Sequence, residues 1–327
     1  AEAAAYEADF AQLAAAINET FWDDDFGIYR NRYQSGAWTV TLGPTSFYPW
    51  VLGIVPPARS VRLLQKLLDE TLFWGEWVIP SLSRNDPQYG KPALSPANNM
   101  WYPAFSYWRG CIWPTPNYLV YEGLRRSGHG EVATALAAKN VALFRQNWEA
   151  RGIAPENFNP ETGWLPASKA ARIKDGGMNF VARDHQSWSM LLPLTGLKEL
   201  IDLELWGDID TLRFGSPHST VSTAKNFPWR GHLFDVRSGG GELWLKRDGE
   251  RIFHATGGVA VVRNFKSSAA DCTCEITAID PLQLWLRPDP QTPAVETPLP
   301  RGTHLVTLRE GRIHLTTPQI STPPEQH

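Results

Sequence analysis

At 327 residues the chain is long for one hydrophobic core and suits two domains, on a prior of roughly 150 residues each. Its 31 Lys and Arg against 34 Asp and Glu leave a net charge of -3 with no basic cluster, which excludes nucleic acid and anionic membrane surfaces as partners. With 43% hydrophobic and 20% charged residues, and no apolar run of the ~18 residues that a membrane span needs, it reads as an ordinary soluble globular protein.

Residues 3–19 are predicted as a helix with Tyr6, Phe10, Leu13 and Ile17 on one face. This alanine-rich, acidic opening has no basic segment and is not a signal peptide, and with no initiator Met, Ala1 reads as a cut end. An aromatic and acidic loop follows, 21–29, in which Gly27 permits a turn. Its adjacent Asp23, Asp24 and Asp25 lack calcium-loop spacing and read as a solvated turn, so no metal is expected. Residues 42–57 form a Gly- and Pro-rich connection carrying Phe47, Tyr48 and Trp50. A second helix is predicted over 58–74, marked by Val61, Leu64, Leu68 and Leu72.

The run from Gly75 to Tyr89 holds too many turn formers to be helical and is long enough to carry a site. Further helices are expected from Tyr118 to Arg126, over 131–149 with Val132, Leu136, Leu143 and Phe144 inward, and over 187–205. A polar loop occupies 154–164. Helix and long aromatic loop therefore alternate, the pattern of a mainly α toroid of antiparallel helix pairs with its loops gathered over one funnel. After Trp206 the pattern becomes apolar-polar alternation, as in 242–245, 259–262, 282–286 and 304–308, with a turn at Asp248-Gly249. That predicts a small antiparallel β-sandwich. The expected organisation is a helical domain over 1–205, a sandwich over 206–315 and a disordered polar tail over 316–327.

Fifteen tryptophans against three methionines set this composition apart, and most stand beside Gly, Pro, Asn or Arg, which suits a sugar cleft. The three cysteines, Cys111, Cys272 and Cys274, form neither a disulfide framework nor a zinc spacing, and favour a reducing, cytoplasmic setting. The stretch from Tyr107 to Asn117 concentrates the aromatic signal. Trp108 and Trp113 offer faces to sugar rings, Arg109 and Asn117 offer directional hydrogen bonds, and Gly110 gives room between them. The competing reading makes both tryptophans core residues at a loop-to-helix junction.

Hydrolysis of a glycosidic bond needs an acid for the leaving oxygen and a carboxylate on the opposite face, which in inverting enzymes stand roughly 6.5–9.5 Å apart. Glu156 is the best-placed candidate: Pro155 fixes its approach, Asn157 and Asn159 are available to orient a water, and Trp164 offers a stacking face. Glu161 competes but sits in a Glu-Thr-Gly turn, where a solvated carboxylate is expected. Asp86 and Arg84 are candidates for sugar hydroxyls, with a turn-forming Asp-Pro as the alternative for Asp86. Asp184 suits a helix N-terminus. No nucleophile elbow, phosphate-binding loop, dinucleotide fingerprint or zinc-protease motif occurs.

The motifs Tyr107-Trp108-Arg109-Gly110 with Trp113 and Asn117, then Glu156-Asn157-Phe158-Asn159 with Thr162-Gly163, then Trp188-Ser189, resemble glycoside hydrolase family 63. The likeness covers residues 1–205 and corresponds to the second half of that family's (α/α)6 toroid. It implies an inverting, exo-acting hydrolase of α-glucosides or glycosylglycerates, with an oligosaccharide or small α-glycoside as substrate and no cofactor. Glu156 would be the general base, Trp108, Arg109 and Trp113 would shape the terminal-sugar subsite, and Trp188 would be a further wall. Residues 207–215 and the strands after them resemble the C-terminal β-domain of bacterial relatives. The family's general acid is an Asp in a first-half motif that has no match here, so it is expected upstream, and the missing N-terminal half is the expected partner. Two other classes compete: a non-catalytic carbohydrate-binding or assembly module that retains the cleft, and a polysaccharide lyase on a similar toroid.

Overall fold

A computed structural model describes residues 2–95, 100–166, 178–179, 183–202, 212–268 and 271–317. The chain divides into two compact units, Ala1–Gly196 and Leu197–His327. The expected boundary at 205/206, the start of the 207–215 stretch and the last residues of the 187–205 helix lie outside the described residues, as does most of the expected tail.

In the first unit, α1 (Glu2–Phe21) forms where alanine dominates, but it buries none of its residues. Tyr6, Phe10 and Leu13 are 67%, 50% and 57% exposed, and of the expected stripe only Ile17 packs against a core. The antiparallel pair β1 (Trp22–Asp23) and β2 (Ile28–Tyr29) follows. The three adjacent aspartates differ in role. Asp23 is buried, accepts the amide of Phe26 and pairs with Arg30 at 2.5 Å, so it closes the turn rather than facing solvent. Asp24 and Asp25 are exposed, and Asp24 meets Arg62.

A 3-10 turn at Pro44–Phe47 leads into the short α2 (Tyr48–Val51), and α3 spans Pro57–Leu68. The helix expected to reach residue 74 stops early because Asp69 turns extended. Its carboxylate takes the amide and hydroxyl of Thr71, and its carbonyl accepts Leu72, Phe73 and Trp74. The buried stripe of α3 is Ser60, Leu63 and Leu67, one position away from the expected Val61 and Leu68, both exposed. Helices α4 (Pro114–Arg126) and α5 (Gly130–Arg151) bring Val120, Tyr121, Leu124, Leu136 and Ala137 onto Phe47, Trp50, Leu63, Leu67 and Phe73 in one core. A second, smaller cluster joins Ile112, Leu143, Phe144, Ala154, Phe158 and Leu192. A small sheet that the sequence did not suggest, β3 (Ala93–Ser95), β4 (Met100–Tyr102) and β5 (Met178–Asn179), runs in that order. A 3-10 turn at Ser187–Met190 enters α6 (Leu191–Ile201).

Among the described residues the second unit holds eleven strands: β6 (Leu212–Gly215), β7 (Ser222–Trp229), β8 (His232–Gly239), β9 (Glu242–Arg247), β10 (Glu250–Thr256), β11 (Ala260–Ser267), β12 (Cys272–Ala278), β13 (Leu282–Leu286), β14 (Val295–Leu299), β15 (Gly302–Arg309) and β16 (Arg312–Thr316). They form antiparallel sheets of order β14-β13-β10-β9-β8-β7 and β16-β15-β12-β11-β6. Both sheets feed one core, with Val236, Leu245, Phe253 and Leu284 from the first and Phe214, Val262, Ile276 and Val306 from the second. Alternating burial along β12 and β13 is the period-2 pattern that the sequence displays. Cys272 and Cys274 point inward from one face of β12 as free thiols. Thr316, the first residue of the expected tail, still pairs with Leu305 in the sheet.

Candidate active site

The aromatic stretch is built on unusual backbone. Phe105 and Tyr107 adopt φ of 48° and 54°, a region costly for bulky side chains, and Gly110 adopts 107°. Gly110 is buried: a Cβ there would lie 2.9 Å from the ring of Tyr89, and its amide donates to the Ser81 hydroxyl at 3.0 Å. The expected sugar contact at Gly110 is therefore corrected to a packing position. Arg109 donates to the Lys91 carbonyl at 2.7 Å and to Gln88 at 2.6 Å, tying this stretch to the loop before it. Cys111 lies beneath, and burial pushes its thiol well above the usual range.

Trp108 and Trp113 stack face to face, with ring centroids 4.2 Å apart and planes within 6°. The two readings of these tryptophans thus divide between them: Trp108 is 46% exposed on the outside of the stack, and Trp113 is 5% exposed within it. Tyr107 meets Trp113 edge-on at 4.9 Å, and Trp188 stands 5.9 Å from Trp113. The result is an aromatic ladder with one open face.

Glu156 stands beside that ladder. Ile112 and Phe158 exchange backbone hydrogen bonds of 2.8 and 3.0 Å, joining the aromatic stretch to the loop that carries Glu156. Its backbone is further held on both sides. The amide of Glu156 donates to the Arg183 carbonyl at 2.9 Å, the Arg183 amide donates to Glu156 Oε2 at 3.0 Å, and Trp188 Nε1 donates to the Glu156 carbonyl at 3.0 Å. Ser189 donates to the Pro155 carbonyl and Gln186 to that of Ala154. Glu156 is 8% exposed, a nearly buried carboxylate residue on a backbone fixed at successive residues.

Several other expected site residues serve the scaffold. Asn117 is fully buried, and its amide accepts the Ile79 N–H at 2.7 Å while donating to the carbonyls of Ile79 and Trp113. With its donors so committed it is a bracket for Ile79, not a sugar contact. Asp86 is buried and accepts the Gln88 amide at 2.7 Å, which makes it a turn former; its Oδ2 has no partner among the described residues. The guanidinium of Arg151 lies 4.5 Å over Trp164, occupying a face expected to be free. Asn157 is fully buried with neither polar atom of its amide partnered among the described residues, and the Oδ1 of Asn159 accepts the amide of Glu161. Asp184 does not cap the turn at Ser187–Met190, where Gln186 is the capping position and makes no side-chain bond.

A cluster that the sequence reading did not assemble joins these loops. Arg84 donates to Glu161 at 2.7 Å, to the Tyr89 hydroxyl at 2.9 Å and to the Trp77 carbonyl, and the Tyr89 hydroxyl donates to Glu161 at 2.5 Å. Glu161 is thus exposed, as expected, but also paired. Burial first, and the Glu161 carboxylate second, push the Tyr89 hydroxyl far above its usual range, so it stays a donor. Gly110, whose φ is positive and whose Cβ position lies against the Tyr89 ring, and Gly75, whose Cβ position lies against the end of the Arg84 side chain, border this cluster. Among the described residues no group of three or more His, Cys, Asp or Glu is placed to hold a metal, and no helix is long and apolar enough to cross a membrane.

Comparison with known proteins gives the family of the chain. The family profile for the mannosylglycerate hydrolase MGH1-like glycoside hydrolase domain matches residues 1–189. Mannosylglycerate hydrolase MGH2 of Selaginella moellendorffii is 30% identical over 146 residues, which cover 44% of this chain and 26% of the relative. The mannosylglycerate hydrolase of Rubrobacter radiotolerans is 30% identical over 164 residues, 50% of this chain and 34% of the relative. A crystal structure of a GH63 mannosylglycerate hydrolase from Thermus thermophilus aligns at 24% identity and a TM-score of 0.39, covering 55% of this chain and 35% of that one. The class is therefore that of glycoside hydrolase domains. Within it, the chain belongs to the MGH1-like family, a branch of glycoside hydrolase family 63. It spans only 26% and 34% of the length of those two curated relatives.

Proposed function

We propose that this chain forms the Glu156 side of the active site of an inverting, exo-acting α-glycoside hydrolase, acting on glycosylglycerates or α-glucosides. The observation that carries the reading is Glu156, held by Arg183 and Trp188 beside the Trp108–Trp113 ladder, inside the stretch that matches the family. Glu156 would take a proton from water as it attacks the anomeric carbon, with Trp108 stacking on the sugar and Trp113 backing it. The general acid is an Asp in family sequence that these residues do not match, and the helices would complete an (α/α)6 toroid with that part. The uncovered Tyr6, Phe10 and Leu13 of α1 support this, since at about 25 cal/mol per Å2 such a face gains most when covered by another helix. Three free, buried thiols support a cytoplasmic setting.

The test is Glu156→Gln in the polypeptide that includes the acid-bearing segment, assayed on mannosylglycerate and on maltose. A loss of turnover by about 100-fold or more with sugar binding retained is expected, and the anomer first released, read by proton NMR, is inverted. Unchanged turnover removes Glu156 as base. Absence of turnover in the parent polypeptide, with sugar binding at Trp108 intact, favours the non-catalytic binding module instead.

A further inference from the structure

Helix α1 carries an apolar stripe that the described residues leave largely bare. At about 100° per residue, Tyr6, Phe10, Leu13 and Ile17 lie within about 60° of one another, and Phe21 continues the line. Where the stripe ends, Ile17 and Phe21 line a cavity of about 230 Å3 together with Ser46, Tyr48, Pro49 and Leu52. That is below the roughly 300–1,000 Å3 of small-molecule sites and suits one inserted side chain. Ser46 is 5% exposed, and among the described residues neither its hydroxyl nor that of Tyr48 has a hydrogen-bond partner. Such hydroxyls call for an acceptor that enters with the occupant.

The charge around the stripe selects the occupant. Glu2 and Asp9 border it on one side and Glu7 on the other, and α1 contains no Lys or Arg. Arg30, which also lines the cavity, is neutralised by Asp23 at 2.5 Å. A second copy of α1 laid on this face would set carboxylates against carboxylates, which opposes self-pairing. A helix with Lys or Arg beside its own apolar stripe is complementary in both respects, and helix-in-groove recognition uses that arrangement. The chain spans only 26% and 34% of its two curated relatives, so most of each relative lies outside the matched part.

We propose that α1 and this cavity seat a basic amphipathic helix of the acid-bearing segment, with Lys or Arg facing Glu2, Glu7 and Asp9 and one apolar side chain in the cavity. This seat rests on the reading that an acid-bearing segment belongs to the same polypeptide; the basic flanks and the anchor follow from α1 and the cavity. The last carbonyls of a helix lack partners within it, and over the cavity they would accept from Ser46 and Tyr48.

The experiment reads contact rather than turnover. In the polypeptide that includes the acid-bearing segment, p-benzoylphenylalanine is placed at Phe10 or at Leu52, the sample is irradiated, and the cross-linked peptide is identified by mass spectrometry. Both positions are expected to capture one and the same upstream helix, with Lys or Arg beside its apolar residues. Capture at Phe10 should fall about tenfold in Glu7→Lys/Asp9→Lys and about threefold in the isosteric Glu7→Gln/Asp9→Asn. Absence of a cross-link overturns the proposal. So does capture of a helix with acidic flanks, of a second copy of the chain, or of different segments by the two positions, and so does capture that both double variants leave unchanged. A polypeptide that cross-links as expected but hydrolyses no sugar keeps the seat and removes the enzymatic reading. One that hydrolyses sugar without the cross-link removes the seat alone.

Discussion

The indole N–H of Trp188 donates to the backbone carbonyl of Glu156 across 3.0 Å, while its ring stands 5.9 Å from that of Trp113. One side chain thus sets both the aromatic ladder and the peptide from which the candidate base projects. Trp188→Phe keeps most of the ring and deletes the donor. The expected result is a fall in kcat of about tenfold with KM little changed, because the carboxylate loses its fixed origin while the Trp108 face stays. A larger change in KM than in kcat would instead make Trp188 a sugar contact.

Asn117 gives a sharper stability prediction. Asn117→Ala leaves the N–H and C=O of Ile79 buried and without their partner, in a core where Ile79 itself is fully enclosed. A loss of about 2–4 kcal/mol is expected from two abandoned polar groups, read from the urea midpoint. Asn117→Asp restores an acceptor but brings in a charge and removes the donor, so it should not recover the loss.

The same residue shows where sequence reading reached its limit. The Tyr107–Asn117 stretch was legible because aromatic and polar types cluster locally, but the partner of Asn117 lies 38 residues away in Ile79. Nothing in either segment distinguishes an amide aimed at a sugar from one aimed at a peptide. Glu156 was legible from its loop neighbours and Trp188 through the family resemblance, whereas their bond spans 32 residues and appears only in three dimensions. The β-sandwich was read well because strand alternation is local, as in β12 and β13. The overrun of α3 had a local cause: Asp69 offers its own backbone and Thr71 a competing turn, and a count of apolar spacings passes over it.

Gly110 joins the strained aromatic stretch to the Arg84–Tyr89–Glu161 cluster. Gly110→Ala would place a methyl 2.9 Å from the Tyr89 ring at a φ of 107°, where L residues are rare. A destabilisation of about 1–3 kcal/mol is expected, together with weaker sugar binding at Trp108. Gly75→Ala is the comparison. Its methyl would meet the end of the Arg84 side chain at 2.5 Å, a group that is able to move, so the effect should be smaller and should act first on the bond to Glu161. Equal losses in the two variants would argue against the rigid role assigned to Tyr89.

His129 provides a pH prediction. Its Nε2 lies 2.8 Å from the Ser60 hydroxyl, which accepts the indole N–H of Trp50 at 2.8 Å, and its ring meets Trp50 edge-on at 5.4 Å. Ser60 has one O–H to give and a second lone pair to accept with, so this bond forms with either tautomer of a neutral imidazole. Burial lowers the pKa of His129 below its ordinary value of 6.5. The unfolded chain then binds the proton more readily than the folded one, so the contribution of this group is present in full above about pH 6.5 and is lost as pH falls through the lower folded-state value. Urea unfolding at a series of pH values should show stability declining on the acid side of neutrality. His129→Gln, which still offers Ser60 an acceptor but does not titrate, should flatten that part of the decline. An unchanged slope in His129→Gln would mean that other groups carry it.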